Sequence, residues 1–252
     1  MMAALRQLML VYFLTCSGKN AHGSNIINGK EVPEGSRLYM VSVQNSEPRH
    51  ICGGFLISYD FAVTAAHCRN PTSVVVGTRD LKAADAMRYT VKTCKHPNYE
   101  DARKGDDIML LKLDRKAQQN IQEQIIGLSE YEIQENTECS VAGWGFTKSG
   151  GEVVDVLHEV DVTVINTAAC VNKWKNFGCW LPNNITCAGG FNTKKGFCGG
   201  DSGGPLVCNG EAAGVVSFNC NNNCDYPNLP NIYTDVSKYK PWIDEILSQN
   251  DC

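Results

Sequence analysis

Residues 199–206 read GGDSGGPL and surround one serine, Ser202, with glycines. Two further segments carry polar residues that can activate a hydroxyl group: residues 64–68 read TAAHC and contain His67, and residues 106–113 read DDIMLLKL. A serine hydroxyl is a poor nucleophile near neutral pH, so it needs an adjacent base. The first segment alone is compatible with an ordinary glycine-rich turn. The three segments together indicate a hydroxyl nucleophile with its own base.

Around these segments, the chain consists of short β-rich runs separated by Gly, Pro and Asn. Runs of this length and spacing predict an all-β sandwich or barrel. The clearest runs are residues 39–43, 55–57, 73–76, 108–113, 160–165, 205–207 and 214–218. Helical periodicity is clear only over residues 239–247, where one face carries Trp242, Ile243, Ile246 and Leu247. A polar stretch at residues 117–134 is the candidate boundary between two β halves.

The N-terminal 25 residues have the composition of a targeting sequence. Arg6 precedes an apolar run at residues 8–14, which is shorter than the roughly 20 residues that span a bilayer. Ala21-His22-Gly23 is a small-x-small cleavage site, and cleavage after Gly18 or Ala21 is the alternative. We therefore expect a signal peptide over residues 1–23, a propeptide over residues 24–25 and one folded domain over residues 26–252. A buried N-terminal helix is the competing interpretation, but nothing amphipathic follows the run.

The charge of residues 26–252 argues against some classes of partner. This part of the chain carries 21 basic side chains (the 23 of the whole chain less Arg6 and Lys19) against 27 acidic ones, a net charge of about −6. The balance gives no support for a nucleic acid or an anionic membrane as partner, and we expect neither.

Cysteine usage indicates the compartment. The chain has 13 cysteines, and Cys16 lies in the targeting segment. The even number that remains behind a signal peptide predicts disulfides in an oxidising compartment. A zinc site is the alternative, but it lacks the expected C-x-x-C pairs with matching partners. No acidic cluster resembles a calcium loop, so we expect no metal and no cofactor.

The three segments, in the chain order His, Asp, Ser, closely resemble the chymotrypsin-type family of serine proteases. The resemblance runs from Ile26 to the C-terminal helix. It implies an all-β fold of two antiparallel six-stranded β-barrels, with the active site between them, a C-terminal α-helix and a division near residues 120–135. The N-terminal strand is expected to cross into the second barrel. The implied activity is hydrolysis of peptide bonds through an acyl-enzyme.

The resemblance also assigns catalytic roles. His67 accepts the proton of Ser202 and later donates it to the leaving amine, while Asp107 holds the imidazole in the useful tautomer. The adjacent Asp106 is the alternative, but the register of the DIMLLKL segment favours Asp107. The backbone N–H groups of Gly200 and Ser202 are expected to form the oxyanion hole.

Residues 26–29 (IING) match the start of the mature enzyme in that family. There the freed α-amino group pairs with the carboxylate next to the nucleophile, here Asp201, so the resemblance implies an inactive precursor that is activated at Ile26. Asn25 precedes the cut, which is a poor fit to a trypsin-like activator. The dipeptide Ser24-Asn25 resembles that of granzymes and of mast-cell or neutrophil proteases, where a dipeptidyl peptidase removes two residues.

The residues that correspond to the family's primary pocket depart from its common patterns. Gly196 stands where trypsin-like members have Asp, so cleavage after Lys or Arg is disfavoured. Phe197 replaces a small side chain and is expected to take up pocket volume, and the walls are Asn219 and Asn231. We therefore expect small or medium uncharged P1 side chains, with a polar P1 bonded to Asn231 as the alternative. The substrate main chain would pair with a strand edge at Ser217, Phe218 and Asn219.

The resemblance implies four disulfides and leaves four cysteines over. The implied pairs are Cys52–Cys68, Cys139–Cys208, Cys170–Cys187 and Cys198–Cys224. Two long loops that border the cleft in this fold carry Cys179 and Cys220, which we expect to form a bridge at the rim. Cys94 and Cys252 then either pair with each other or form an intermolecular bond, and both alternatives stay open.

The subgroup that the chain resembles most is the granzymes and related granule proteases. Digestive elastases and self-restrained proteases similar to complement factor D are alternatives, as is a binding protein without useful turnover. Expected partners are protein or peptide substrates, protein protease inhibitors and an activating peptidase. The expected location is extracellular or in a secretory granule, and the sequon at Asn184 predicts a surface glycan.

Overall fold

The computed structural model describes residues 25–83, 86–117, 125–220, 223–226 and 228–252. The signal peptide expected over residues 1–23 and the propeptide residue Ser24 lie outside the described residues. The described part of the chain forms two closed antiparallel β-barrels, as the resemblance implies.

The first barrel closes in the strand order β2-β3-β4-β7-β6-β5. Its strands are rich in β-branched and aromatic residues, which favour a pleated and partly buried surface. Strand β7 reads MLLKL and has four of its five residues buried. The strands are β2 (Met40–Gln44), β3 (His50–Leu56), β4 (Phe61–Thr64), β5 (Ser73–Val76), β6 (Met87–Lys95) and β7 (Met109–Leu113).

The second barrel also has six strands and closes where β8 pairs with β9. Strand β9 alternates buried and more exposed residues along its length, the period-2 pattern of a strand with one face on the core. The strands are β8 (Glu138–Gly143), β9 (His158–Ile165), β10 (Ile185–Ala188), β11 (Pro205–Cys208), β12 (Glu211–Phe218) and β13 (Asn231–Asp235). The N-terminal strand β1 (Lys30–Glu31) pairs with β9, so it joins the second barrel.

Helices lie outside the barrels. The described segments are a short turn α1 (Asn25–Asn28), whose Ile26 and Ile27 lack helical backbone angles, and the helices α2 (Thr167–Asn176) and α3 (Lys240–Gln249), with 3₁₀ turns at Ala102–Lys104 and Val236–Lys238. Helix α3 was predicted, and its Ile243 is fully buried against the core of the first barrel. Helix α2 was not predicted. It begins at an N-cap, because the side chain of Asn166 accepts a hydrogen bond from the Ala169 amide at 3.1 Å.

Five disulfides connect the described chain. The four pairs implied by the resemblance are present, and the open question about Cys94 is answered by a bond to Cys252, with Cα atoms 5.1 Å apart. The expected rim bridge between Cys179 and Cys220 is wrong, since both thiols are free. Both side chains pack on the same apolar cluster, but the Cys179 sulfur lies 3.9 Å from the carbonyl oxygen of Phe177, the C-cap residue of helix α2.

Within the described residues, none of the helices is long and apolar enough to cross a membrane.

Candidate active site

The three sequence segments converge between the barrels. Strand β4 pairs with β7, Thr64 opposite Met109, which brings the loop of His67 beside the loop of Asp107. The loop of Ser202 approaches from the second barrel. The Ser202 carbonyl oxygen accepts a hydrogen bond of 2.8 Å from the amide of Gly53 in strand β3 of the first barrel. The barrel interface therefore aligns residues that lie far apart in the chain.

The carboxylate of Asp107 holds His67 at two points. One oxygen, Oδ2, lies 2.7 Å from the Nδ1 atom of His67, and the other, Oδ1, accepts the His67 backbone N–H at 2.9 Å. A carboxylate only accepts hydrogen bonds, so Nδ1 carries the proton, and in the neutral ring Nε2 is left as the acceptor. A histidine in this tautomer is able to accept a proton at Nε2.

A third donor to Asp107 comes from the second barrel. The hydroxyl group of Ser217 donates to Oδ2 at 2.6 Å. Burial by itself would raise the pKa of this almost fully buried carboxyl, but the hydrogen bonds from His67 and Ser217 outweigh burial and hold the pKa below its ordinary value. The neighbouring Asp106 faces elsewhere, because its carboxylate accepts a hydrogen bond from the Tyr239 hydroxyl at 2.9 Å.

Glycines allow the tight loop that carries Ser202. The Gly203 backbone has φ +84°, and a Cβ atom on it would lie 2.5 Å from the Gly53 carbonyl oxygen. No side chain fits there, so the two barrels approach each other directly through backbone. The amide of Gly203 donates to the Val216 carbonyl at 2.8 Å, which ties the loop to strand β12. Ser202 itself remains partly accessible.

The peptide of Gly200 is held by a histidine that the motifs did not single out. The Nε2 atom of His50 lies 2.9 Å from the Gly200 carbonyl oxygen, and its Nδ1 atom lies 2.8 Å from the Ser42 hydroxyl. A carbonyl only accepts, so Nε2 donates to it and Nδ1 accepts from Ser42. Burial lowers the pKa of His50 to about 4 and outweighs the opposing effect of the bond to Gly200. His50 is thus neutral at physiological pH.

The N-terminal segment pairs with Gly196, six residues before Ser202. The side chain of Ile26 is fully buried in the core of the second barrel, and the amide of Ile27 donates to the Gly196 carbonyl at 3.2 Å. The carboxyl of Asp201 is also fully buried, and its oxygens accept the amides of Gly145 and Cys198, each at 2.8 Å. Burial raises the pKa of Asp201 to about 7, against the lowering effect of these two amides.

Comparison with known proteins shows to which family the chain belongs. Residues 26–243 match the Trypsin family. The chain belongs to the trypsin family of serine proteases. It is 37% identical to duodenase-1 of Bos taurus over 95% of each chain, and 36% identical to mast cell protease 3 of Ovis aries over 96% of each. It is 35% identical to granzyme B(G,H) of Mus musculus, over 98% of this chain and all of that one. The protein is a serine endopeptidase.

The residues expected to form the primary pocket of this trypsin-family enzyme contact a side chain that sequence analysis did not assign to them. A Cβ atom on Gly196 would lie 2.6 Å from the Cε2 atom of Tyr226 and would also collide with the Asn231 carbonyl oxygen. The Tyr226 hydroxyl accepts from the side-chain amides of Asn231 at 2.8 Å and Asn219 at 3.2 Å. It donates to the Phe197 carbonyl oxygen at 2.5 Å.

The expectation that the ring of Phe197 takes up pocket volume is wrong. This ring is buried in the core of the second barrel, with its centroid 5.3 Å from that of Tyr233. Only its backbone carbonyl reaches the pocket, where Tyr226 binds it. The position of Tyr226 two residues after Cys224, whose disulfide to Cys198 borders the pocket, was the available hint.

The remaining assigned residues lie on the surface or in strand β12. Asn184 is exposed, so its side chain is open to modification. Phe218 is partly buried, and its ring packs edge-on against Trp174, with centroids 5.6 Å apart. Among the described residues, Cys52, His67 and Cys68 bring potential metal-binding atoms within 4.8 Å of one another, but the two sulfurs form a disulfide. This group is therefore not a metal centre.

Proposed function

We propose that His67, Asp107 and Ser202 are the catalytic triad of a secreted or granule-stored endopeptidase that is made as a precursor. The observation that carries the proposal is the 2.7 Å hydrogen bond between His67 Nδ1 and Asp107 Oδ2, which keeps the proton of His67 on Nδ1. This tautomer leaves Nε2 free to take the Ser202 proton and later to pass it to the leaving amine. Ser202 Oγ attacks the substrate carbonyl and forms an acyl-enzyme, which water then hydrolyses.

The oxyanion of the tetrahedral intermediate would be stabilised by the amides of Gly200 and Ser202. Loss of one such donor typically costs about 3–4 kcal/mol in the transition state. The Gly200 backbone has φ +93°, and a Cβ atom there would lie 2.9 Å from the Gly145 Cα. Glycine is therefore required at position 200, where it is partly buried, which supports a role for its backbone N–H.

Activation would create an ion pair between Ile26 and Asp201. Cleavage after Asn25 converts the amide nitrogen of Ile26 into an ammonium group. Asp201 is fully buried, and within the described residues its hydrogen bonds come from backbone amides and not from a cation. A buried carboxylate gains most from a counter-charge, so the new terminus would order the loop of Gly200 and Ser202. The activating peptidase would be a dipeptidyl peptidase if signal cleavage follows Gly23.

The proposed P1 preference is for small or medium uncharged side chains. Gly196 supplies no carboxylate for a Lys or Arg side chain, and the pocket walls are the amides of Asn219 and Asn231. The alternative is a polar P1 that donates to Asn231: its side-chain nitrogen is bonded to Tyr226, but its buried Oδ1 has no hydrogen-bond partner among the described residues. The relatives named for granules and mast cells support a granule or extracellular location, and the exposed Asn184 would carry a glycan.

Active-site labelling tests the proposal. The protein is prepared with Ile26 as its N-terminus and treated with a fluorophosphonate probe, and the labelled peptide is identified by mass spectrometry. We expect one label, on Ser202, that is absent in Ser202→Ala and in a chain that still carries Asn25. An unlabelled Ser202 in the processed protein contradicts the proposal.

A second function has one observation in its favour. Tyr226 fills the pocket, as in a self-inhibited protease homologue that acts as a binding protein. Profiling a peptide library with the processed protein separates the two. Cleavage of any library peptide favours the enzyme, whereas labelling of Ser202 with no cleavage at all favours the binding protein.

A further inference from the structure

We propose that Tyr226 is the specificity-determining residue of the primary pocket, and that its ring limits P1 to glycine or alanine. This inference rests on the proposed role of Ser202. It replaces the general expectation of small or medium P1 side chains with a named residue and a narrower range.

The ring of Tyr226 occupies the space next to the pocket floor. An added methyl group on Gly196 would lie 2.6 Å from Cε2 and 2.9 Å from Cζ of the ring, far inside van der Waals contact. Gly196 therefore lies directly against the ring. A P1 side chain that extended beyond its Cβ atom would have to enter the same volume.

The hydroxyl group of Tyr226 is fully satisfied in this position. A phenol has one donor and two acceptor sites, and all three are used, by the Phe197 carbonyl and by the amides of Asn219 and Asn231. Both asparagines are buried, with 7% of Asn219 and none of Asn231 exposed. If the ring left, these buried polar groups would lose a partner, which carries a desolvation penalty.

The backbone around Tyr226 is anchored close to the ring. Cys224, two residues before it, is buried and bonded to Cys198. Leu229, three residues after it, is buried in the apolar cluster around Trp174. The same Asn219 side-chain amide also donates to the Cys224 sulfur at 3.4 Å, so Asn219 is bonded both to Tyr226 and to the disulfide of Cys224. These contacts favour the ring inside the pocket over a position outside it.

Two serine-directed reagents of different shape test the proposal without a peptide substrate. In each, Ser202 Oγ bonds to phosphorus or sulfur, fluoride leaves and His67 takes the proton. Diisopropyl fluorophosphate has no group that must enter a deep pocket, whereas phenylmethanesulfonyl fluoride carries a benzyl group that does. We expect Tyr226→Ala to raise the ratio of the reaction rate with phenylmethanesulfonyl fluoride to the rate with diisopropyl fluorophosphate at least tenfold. Peptide substrates should show the same change, with kcat/KM for P1 Phe rising at least tenfold relative to P1 Ala.

Control variants separate the possible outcomes. Tyr131→Ala removes a tyrosine that is 77% exposed and should leave both ratios unchanged. Tyr226→Phe keeps the ring, so both of its ratios should lie nearer to those of the unmodified enzyme than the ratios of Tyr226→Ala do. If Tyr226→Ala does not fold, the P1 profile of the unmodified enzyme decides: P1 Phe cleaved as readily as P1 Ala overturns the inference. Labelling by diisopropyl fluorophosphate with unchanged ratios in Tyr226→Ala also overturns it, while leaving the proposed function intact. No reaction with either reagent in any variant removes the proposed function itself.

Discussion

The imidazole of His50 bridges the two barrels, because it donates to the Gly200 carbonyl at 2.9 Å and accepts from the Ser42 hydroxyl at 2.8 Å. The side-chain amide of Gln44 supports the bridge by donating to Ser42 at 3.3 Å. Strands β2 and β3 of the first barrel thereby hold the peptide next to Ser202 in the second. Only the neutral tautomer with its proton on Nε2 makes both bonds, since a ring protonated on both nitrogens cannot accept from Ser42.

His50 should make stability depend on pH below neutrality. Its folded pKa of about 4 lies below the ordinary histidine value of 6.5, so the unfolded chain binds more protons between these values. The stabilisation is complete above about pH 6.5 and is lost as the pH falls toward 4. The difference in unfolding free energy is on the order of 3 kcal/mol. Urea unfolding of Ser202→Ala and of Ser202→Ala/His50→Gln at pH 4.5 and 7 measures it. Equal pH dependence in the two proteins would contradict the assignment.

Asp201 should give the unprocessed chain the opposite pH dependence. Its folded pKa of about 7 lies above the ordinary aspartate value of 3.8, so the folded state binds more protons between these two values. The stabilisation is complete below about pH 3.8 and is lost as the pH rises through 7, by an amount on the order of 4 kcal/mol. An ammonium at Ile26 would remove this loss by supplying a counter-charge.

The comparison that tests this uses two inactive proteins, both Ser202→Ala. One begins at Ile26 and the other keeps Asn25. Thermal unfolding at pH 5.5 and 8 should show the longer chain losing stability relative to the processed one as the pH rises. A constant difference between the two proteins across this range would show that Asp201 does not pair with the new terminus.

Removing the Ser217 hydroxyl should slow catalysis. Its bond of 2.6 Å to Asp107 is charge-assisted, and bonds of this kind contribute about 1.5–3 kcal/mol. Ser217→Ala should therefore lower kcat roughly tenfold or more, with KM changed less, as measured on a P1 Ala substrate. The matched control is Thr234→Val, which removes a hydroxyl bonded to the Asp107 backbone carbonyl at 2.9 Å and not to its carboxylate. An equal loss of kcat in both variants would show that disturbed packing, and not the lost hydrogen bond to the carboxylate, slows catalysis.

The Cys94–Cys252 bond should stabilise the fold without affecting the chemistry. It links strand β6 to the segment after helix α3 across 158 residues, and such a link commonly contributes about 2–4 kcal/mol. Cys94→Ala/Cys252→Ala should lose that amount in guanidinium unfolding and keep its kcat/KM. The control Lys92→Ala breaks an exposed ion pair with Asp251 between the same two segments and should leave stability within error. A double cysteine variant as stable as the unmodified protein would contradict this.

Local sequence was sufficient for some of the strands and for the segment of Ser202, because both depend on residues close together in the chain. The β-rich runs at residues 160–165 and 214–218 fall within β9 and β12, and apolar spacing over 239–247 predicted α3. Helix α2 has weak periodicity and was missed, because its stability comes from packing Trp174 and Cys170 against strand residues and from the Asn166 cap. The Cys179–Cys220 bridge failed because loop proximity does not determine where two sulfur atoms point.

The amino-acid sequence by itself determined the family, the order His67, Asp107, Ser202 and the absence of a carboxylate at Gly196, since these are properties of motifs. Only the tertiary structure decided which side chains reach those motifs from elsewhere. His50 crosses to Gly200 because the barrels pack with backbone against backbone at Gly53 and Gly203. Tyr226 reaches Asn219 and Asn231 through packing within the second barrel. Hydrogen bonds act over about 3 Å, so such partners are set by the packing of the barrels and not by distance along the chain.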